Sequence, residues 1–90
     1  WLGISVQDTN NEGKPTKGAF VTEIAPNGPA DKAGILPSDI IINFDGQDIP
    51  NMRTLPKIVA KTGIGKTTQI KILRKNKIKI LNIKVSKQNP

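Results

Sequence analysis

The chain has 90 residues, of which 36% are hydrophobic, and its formal net charge is +7. This length predicts a single domain with a modest core, and the absence of His and Cys excludes Ser–His and Cys–His nucleophilic pairs, disulfide bonds and thiolate metal sites. The chain opens at Trp1, inside an apolar segment, so we expect a domain excised from a longer protein, with any targeting signal or companion domain outside it.

The first half of the chain predicts two strands and a short helix. Apolar and other residues alternate from Trp1 to Gln7, which predicts a strand. Residues Asp8 to Lys17 contain Asn, Gly and Pro without periodicity, which predicts a loop, and Ala19 to Ile24 predicts a second strand. Pro29 to Ala33 is typical of a helical turn with proline at its first position, ended by Gly34 in the left-handed conformation.

The middle of the chain predicts a buried strand and the longer helix. The strand runs from Ile40 to Phe44 and is closed by an Asp45-Gly46 turn. The helix lies within Asn51 to Lys61, where Pro56 limits its start because proline is tolerated only in the first turn. A cap at Thr54 would place this proline at the second helical position and a cap at Asn51 slightly too deep, so a regular helix of two turns is expected.

The last part predicts a hairpin. Thr68 to Leu73 and Ile78 to Val85 are strands joined at Lys75-Asn76, with a bulge or strong twist near Leu81, where the apolar residues change face. Residues 1–87 are therefore predicted to form one α+β, mainly β domain. It would be a partly open barrel of five or six strands capped by two helices, and residues 88–90 would begin a linker.

One motif match is misleading. The segment from Ala60 to Thr67, AKTGIGKT, fits a relaxed phosphate-loop pattern with Ala in place of the first Gly. That motif holds phosphate when a strand enters the loop and a helix leaves it. Here a helical pattern enters, and the β-branched run of residues 67–72 leaves. The segment therefore indicates a Gly-rich helix-to-strand connection, and no nucleotide or other cofactor is expected.

Catalysis and metal binding are weak hypotheses for this chain. Serine–lysine pairing is not indicated by the spacing of the serines, which are Ser5, Ser38 and Ser86. Four aspartates stand at helix or turn positions, where capping of backbone N–H groups explains them; they are Asp31, Asp39, Asp45 and Asp48. We predict neither a catalytic residue nor a metal site.

The opening of the first strand is the most informative local feature. Gly3 between two apolar residues permits a tight turn whose backbone N–H groups point the same way, and such a nest can hold a carboxylate. Residues 5–6 would continue as a strand edge, and the helix around Leu55 to Val59 would flank it and form an apolar groove. An ordinary strand that contains a glycine is the alternative.

Several segments together resemble bacterial PDZ domains. They are residues 1–4, 18–21, 28–35, 39–41, 45–46 and 53–60. Trp1-Leu2-Gly3-Ile4 is similar to the carboxylate-binding loop of that family. Arg53 to Ala60 is similar to the groove helix in the first PDZ domain of Do/HtrA-type (DegP/DegQ-like) serine proteases. The resemblance runs from residue 1 to about residue 87.

The resemblance implies a circularly permuted PDZ fold and a binding site. The groove strand comes first in the chain, and the final strand, Lys79 to Val85, closes the barrel beside it. The loop of Trp1, Leu2, Gly3 and Ile4 would bind the carboxylate of another polypeptide through its amides, and the strand from Ile4 to Val6 would pair with that peptide. The groove residues implied are Ile4, Ser5, Val6, Met52, Leu55, Pro56 and Val59. Which of Leu55, Ile58 and Val59 face the groove rather than the core stays open.

The implied function is that of a substrate-recognition and regulatory module of a periplasmic or cell-envelope serine endopeptidase whose catalytic domain lies outside the chain. Its partners would be C-terminal or extended segments of unfolded proteins and the linked protease domain, with any oligomer formed through the parent protein. No membrane insertion is expected.

Two alternatives remain. One is a PDZ domain of another envelope protein. The other is a nucleic-acid or anionic-surface binder, because residues 51–90 carry eleven bases and no acid whereas residues 1–50 carry three bases and seven acids. A chain rich in Ile, Lys and Asn also places Lys at its solvated positions, and the stacking aromatics of single-strand binders are missing. We therefore expect a mostly solvated basic face.

Overall fold

The computed structural model describes residues 1–11 and 14–87, with the backbone alone for residues 9–11 and 14–17, so the predicted linker at 88–90 lies outside the described residues. The strands in this part of the chain are β1 (Ile4–Asn11), β2 (Lys14–Ile24), β3 (Ile40–Phe44), β4 (Gln47–Asp48), β5 (Thr67–Arg74) and β6 (Lys77–Lys84). The helices are α1 (Pro29–Ala33) and α2 (Thr54–Thr62). This architecture confirms the predicted mainly β, α+β fold.

The strands form one antiparallel sheet in the order β1-β2-β3-β5-β6, and the short β4 pairs with β3. β1 and β6 are therefore the two edges. The barrel was expected to close where the last strand lies beside the first. There the N–H of Ser86, just beyond β6, donates to the carbonyl of Trp1 at 3.1 Å. The barrel is partly open, and no described strand lies along the outer edge of β1.

The prediction of a loop from Asp8 to Lys17 is wrong. In the described residues, β1 extends to Asn11 and β2 begins at Lys14; Asn11 pairs with Lys14 and Asn10 pairs with Pro15. A register shift lies between Asp8 and Asn10. Pairing across a hairpin uses backbone groups, so it can continue where the sequence shows no apolar alternation.

The hairpin of β5 and β6 turns at Lys75 and Asn76 as predicted, with φ values of 51° and 63°. The prediction of a bulge near Leu81 is wrong, because the two strands pair along their whole length without a register shift. The apolar residues on both faces of β6 have another explanation. Ile78 and Ile80 lie on the outer face with 63% and 57% of their surface exposed, whereas Leu81 is half-buried and Ile83 is buried in the core.

The core fills the space between the inner face of the sheet and the two helices. Its largest fully buried apolar side chains are Phe44, Ile35, Ile41, Ile49, Ile70, Ile72, Ile83, Val21 and Val85. The short helix α1 ends at Gly34, whose φ of 93° confirms the predicted left-handed stop. The N–H of Gly34 donates to the carbonyl of Ala30 at 3.1 Å, which satisfies one of the carbonyls at the end of the helix.

The start of α2 shows how the helix accommodates Pro56 in its first turn. The side-chain oxygen of Asn51 accepts hydrogen bonds from the N–H groups of Arg53 and Thr54, at 3.0 and 3.2 Å, and the helix begins at Thr54. Pro56 is thus the third helical residue, where no intrahelical N–H bond is lost. The helix ends at Thr62 and β5 begins at Thr67, so the Gly-rich segment is the predicted helix-to-strand connection.

Neither helix of the described residues has the length and apolarity needed to cross a membrane.

Candidate binding groove

An apolar cavity of about 370 Å³ lies between β1 and α2. It is lined by Trp1, Leu2, Ile4, Val6, Leu55, Pro56, Val59 and Ala60. We call this cavity the groove. Five of its lining residues were predicted for the groove, namely Ile4, Val6, Leu55, Pro56 and Val59. Trp1 and Leu2 were predicted for the adjoining loop, and Ala60 was not predicted for either. None of the lining side chains is ionisable, so the groove itself favours an apolar side chain.

Other predicted site residues lie elsewhere. Gly3 and Ser5 line a neighbouring cavity of about 310 Å³, which is also lined by Glu23 and shares Trp1 and Ile4 with the groove. Met52 does not line the groove but packs, partly buried, against the core. Among the described side chains there is no cluster of three or more His, Cys, Asp or Glu that could hold a metal ion.

The helix side of the groove resolves the open choice among three apolar residues. Leu55, Ile58 and Val59 are all buried and all belong to the core cluster. Leu55 and Val59 also line the groove, whereas Ile58 does not. The same residues therefore form the floor of the groove and anchor α2 to the sheet.

A hydrogen bond that the sequence analysis missed joins the two walls of the groove. The carboxylate of Asp8 on β1 accepts from the N–H of Met52, just before α2, at 2.9 Å. These residues are 44 positions apart, and Asp8 stood in a segment predicted as a loop. No local signal could have revealed the contact, because it depends on β1 continuing past Gln7.

In the loop of residues 1–3, beside the groove, all three carbonyl groups accept backbone hydrogen bonds. The carbonyl of Trp1 accepts from Ser86 at 3.1 Å, that of Leu2 from Ala30 at 2.9 Å, and that of Gly3 from Ala25 at 2.8 Å. In a trans peptide the C=O of one residue and the N–H of the next point in opposite directions, and the described chain has no cis peptide bond. The N–H groups of residues 2, 3 and 4 therefore point away from these three donors.

Gly3 is required in this loop for two reasons. Its φ of 76° is a left-handed conformation that other residues adopt at a cost. A Cβ atom at Gly3 would also lie 3.3 Å from Cη2 of Trp1, and one at Gly28 would lie 3.5 Å from the same atom. The indole therefore packs closely over both glycines and forms a wall of the groove, with 38% of its surface still exposed.

The sequence matches the PDZ domain family over residues 1–85, so the chain belongs to that family. A PDZ domain is a non-catalytic module, and the sequence analysis likewise predicted no catalytic residue. The class of protein is therefore that of PDZ domains, and the sheet order and the groove between β1 and α2 have been described above.

Similar curated proteins carry the names of bacterial serine proteases. The chain is 35% identical over 82 residues to a probable periplasmic serine endoprotease DegP-like of Hahella chejuensis, covering 83% of this chain and 17% of the relative. It is 38% identical over 94 residues to a protein of the same name in Rickettsia conorii, covering 98% of this chain and 18% of the relative. These names confirm both the HtrA/DegP-like resemblance and the envelope location that it implies.

A solved structure agrees in fold. The HtrA-type protease AlgW, described with a decapeptide, superposes with a TM-score of 0.91 at 30% identity, covering 100% of this chain and 30% of that one. The chain thus spans less than a third of that protein and less than a fifth of the two curated relatives.

Proposed function

We propose that the domain captures the free C-terminal end of an extended polypeptide by adding it as a strand beside β1. The observation that carries this proposal is the orientation of the Leu2, Gly3 and Ile4 N–H groups. Their peptide planes are fixed by the bonds to Ser86, Ala30 and Ala25. No acceptor among the described residues bonds to the N–H of Leu2 or of Gly3. Backbone donors on successive residues, left without a partner in this way, suit a carboxylate.

The groove beside this loop would take the last side chain of the peptide. Its lining is apolar, and its volume of about 370 Å³ suits one large aliphatic or aromatic residue. The peptide backbone would pair with the outer edge of β1, along Ile4 to Val6. Such pairing gives affinity that depends little on sequence, while the pocket selects the terminal residue.

The expected affinity is modest. Two or three backbone hydrogen bonds contribute about 1 kcal/mol each, and a charge-assisted carboxylate contact contributes about 1.5–3 kcal/mol. Burial of one apolar side chain adds about 1.5–3 kcal/mol, and the ordering of the peptide removes part of the sum. A Kd between about 10 µM and 1 mM follows.

We further propose that the domain serves a linked serine endopeptidase of the periplasm by presenting C-terminal or extended segments of unfolded proteins to it. Support comes from the names of the DegP-like relatives, of which this chain spans less than a fifth, and from the decapeptide described with AlgW. Regulation of the protease by occupancy of the groove belongs to the same proposal. The shared identity with these proteases favours this parent over another kind of envelope protein.

The decisive experiment compares two peptides that differ only at the carboxylate. A short peptide ending in Val is titrated into the protein as the free acid and as the C-terminal amide, by calorimetry. Loss of the negative charge should weaken binding about tenfold or more. Equal affinity for the two forms would reject carboxylate capture.

A protein variant tests the same site independently. Ile4→Asp places a carboxylate in the groove and beside the bound carboxylate, so acid-peptide binding should fall below detection. Gln47→Asp on the exposed β4 changes the net charge equally and should bind as the parent does. Circular dichroism establishes that both variants are folded, and binding by a folded Ile4→Asp protein would contradict the proposed groove.

A further inference from the structure

A second cavity, of about 390 Å³, lies between α1 and the end of β6. It is lined by Trp1, Asn27, Gly28, Pro29, Lys32, Ala33, Thr67, Asn82, Lys84, Ser86 and Lys87. We call it the basic cavity. Its lining contains three lysines and no carboxylate, whereas the groove has no ionisable side chain. It is therefore chemically distinct from the site described above.

The three lysines come from separate elements and converge on this cavity. Lys32 lies on α1, Lys84 ends β6, and Lys87 follows β6. The ion pairs found among the described side chains use Lys66 and Arg74, and none of the three cavity lysines takes part in one. Three lysines around one cavity repel one another, so a bound anion would relieve that repulsion. The carboxylate of Asp31 accepts from the N–H of Asn27 at 2.8 Å and forms an ion pair with none of these lysines.

The remaining lining groups favour an oxyanion with several acceptor oxygens. Thr67 and Ser86 offer hydroxyl donors, and Asn27 and Asn82 offer amide donors. Lysine is a common point-charge ligand of phosphate. The volume of about 390 Å³ exceeds that of one phosphate ion and leaves room for a group attached to it, next to the exposed part of the Trp1 indole.

We propose that the basic cavity is a binding site for a phosphate monoester group, chemically distinct from the groove, with which it shares only Trp1. The group could be carried by a soluble metabolite or by the head group of an anionic lipid, because both present the same dianionic oxygens. This assignment rests on the cavity alone and does not depend on peptide capture.

Nuclear magnetic resonance maps the site with inorganic phosphate as the probe. Phosphate is titrated into ¹⁵N-labelled protein at low ionic strength, against chloride at equal ionic strength, because salt screens surface charge. We expect saturable shifts of the amide signals of Gly28, Thr67 and Ser86 with phosphate only. Shifts that do not saturate, or that chloride reproduces, would overturn the proposal.

Matched variants separate a built cavity from general positive charge. Lys84→Gln removes one cavity lysine and should weaken phosphate binding about tenfold. Lys75→Gln at the exposed hairpin turn removes the same charge elsewhere and should change the Kd less than about twofold. An equal loss in both variants would show that phosphate responds only to net charge and would contradict the site.

A lipid arm identifies the source of the phosphate. Sedimentation with phosphatidylcholine vesicles is compared with and without phosphatidic acid, whose head group is a phosphate monoester. Binding that requires phosphatidic acid and Lys84, but not Lys75, assigns the lipid head group. Saturable binding of free phosphate without vesicle binding assigns a soluble ligand. If neither free phosphate nor phosphatidic acid vesicles bind, the proposed site is rejected. Both experiments are independent of the outcome of the peptide titrations.

Discussion

Arg74 on β5 holds the buried carboxylate of Asp39 in a two-point contact, with Nε to Oδ1 at 2.8 Å and a terminal nitrogen to Oδ2 at 2.7 Å. The same guanidinium donates to the carbonyl of Gly34 at 2.9 Å. Asp39 has 2% of its side chain exposed and also accepts from the N–H of Leu36 at 2.8 Å. One pair of residues thus ties the end of α1 to the start of β3 and the end of β5, and the hydrogen bond to Asp39 raises the pKa of Arg74.

Removal of this arginine should destabilise the domain. Arg74→Met keeps the aliphatic stem but leaves the Asp39 carboxylate buried without its charged partner, so we expect a loss of about 2–3 kcal/mol in the free energy of unfolding. Urea denaturation measures it. Lys71→Met, on the same strand but exposed, is the control and should change the midpoint little. An unchanged midpoint for Arg74→Met would show that the contact contributes no stability.

Gly34 should not tolerate a branched side chain. No atom lies within 4 Å of a Cβ built at this position, so the penalty of Gly34→Val comes from its φ of 93° and not from a clash. We expect destabilisation of roughly 1–3 kcal/mol, measured by chemical denaturation. Gly34→Asn should cost less, because Asn adopts this conformation more readily. Equal stability of the valine variant would contradict the strain argument.

The carboxylate of Asp45 should titrate below its ordinary value. The hydroxyl of Thr68 donates to it and Lys66 lies 3.6 Å away, and these contacts lower the pKa of Asp45 from 3.8. Because the folded-state pKa is the lower one, the stabilisation is complete above about pH 4 and is lost as the pH falls through the folded-state pKa.

Thr68→Val should raise the pKa of Asp45 toward 3.8, since the hydroxyl is the largest cause of its lowering. A ¹³C-detected titration of the carboxyl measures this directly. Thr68→Ser keeps the hydroxyl and should keep the lowered pKa. The same pKa in the valine and serine variants would assign the shift to Lys66 instead.

Asp8 should set the separation of the groove walls. Asp8→Ala removes the acceptor of the Met52 N–H, so we expect peptide binding to weaken about threefold and the free energy of unfolding to fall by about 0.5–1.5 kcal/mol. Asp48→Ala is the matched control, since Asp48 is also exposed and accepts a side-chain hydrogen bond from Asn43 away from the groove. An equal change in affinity for both variants would mean that net charge, not groove geometry, is responsible.

The basic half of the chain should not bind nucleic acid tightly. Its lysines do not share one face, since Lys71 pairs with Ile80 whereas Lys79 pairs with Ile72, which puts the two lysines on opposite sides of the hairpin. We expect a Kd weaker than about 1 µM for DNA or RNA oligonucleotides at about 150 mM salt, measured by fluorescence anisotropy. Tighter binding that weakens steeply with salt would favour the alternative function.

The sequence predicted the features that depend on local chemistry. The stop at Gly34, the Asp45-Gly46 turn and the Lys75-Asn76 turn each contain a Gly or an Asn, which adopt positive φ readily, and the φ values of these residues are positive. The alternation on the first strand and the apolar face of α2 indicated an apolar groove, and the resemblance to PDZ domains implied its individual residues. These signals need only a few neighbouring residues.

The features that the sequence did not predict depend on distant partners or on the backbone. The extension of β1 to Asn11 is made by a ladder that requires no apolar pattern. The contact of Asp8 with Met52 exists only because of that extension. The incorrect prediction of a bulge near Leu81 came from the change of face of the apolar residues there, whereas an outer sheet face can leave Ile78 and Ile80 in water.

The bond between Ser86 and Trp1 brings the two ends of the described chain side by side. A short Gly-Ser linker could therefore join these ends, and new termini could be opened at the exposed Lys75-Asn76 turn, with every strand and both helices retained. Such a permuted domain would place its termini at the tip of the β5–β6 hairpin, in a turn that lines neither the groove nor the basic cavity. The same geometry makes the domain suited to insertion within another protein, because its entry and exit points would barely separate the two host segments.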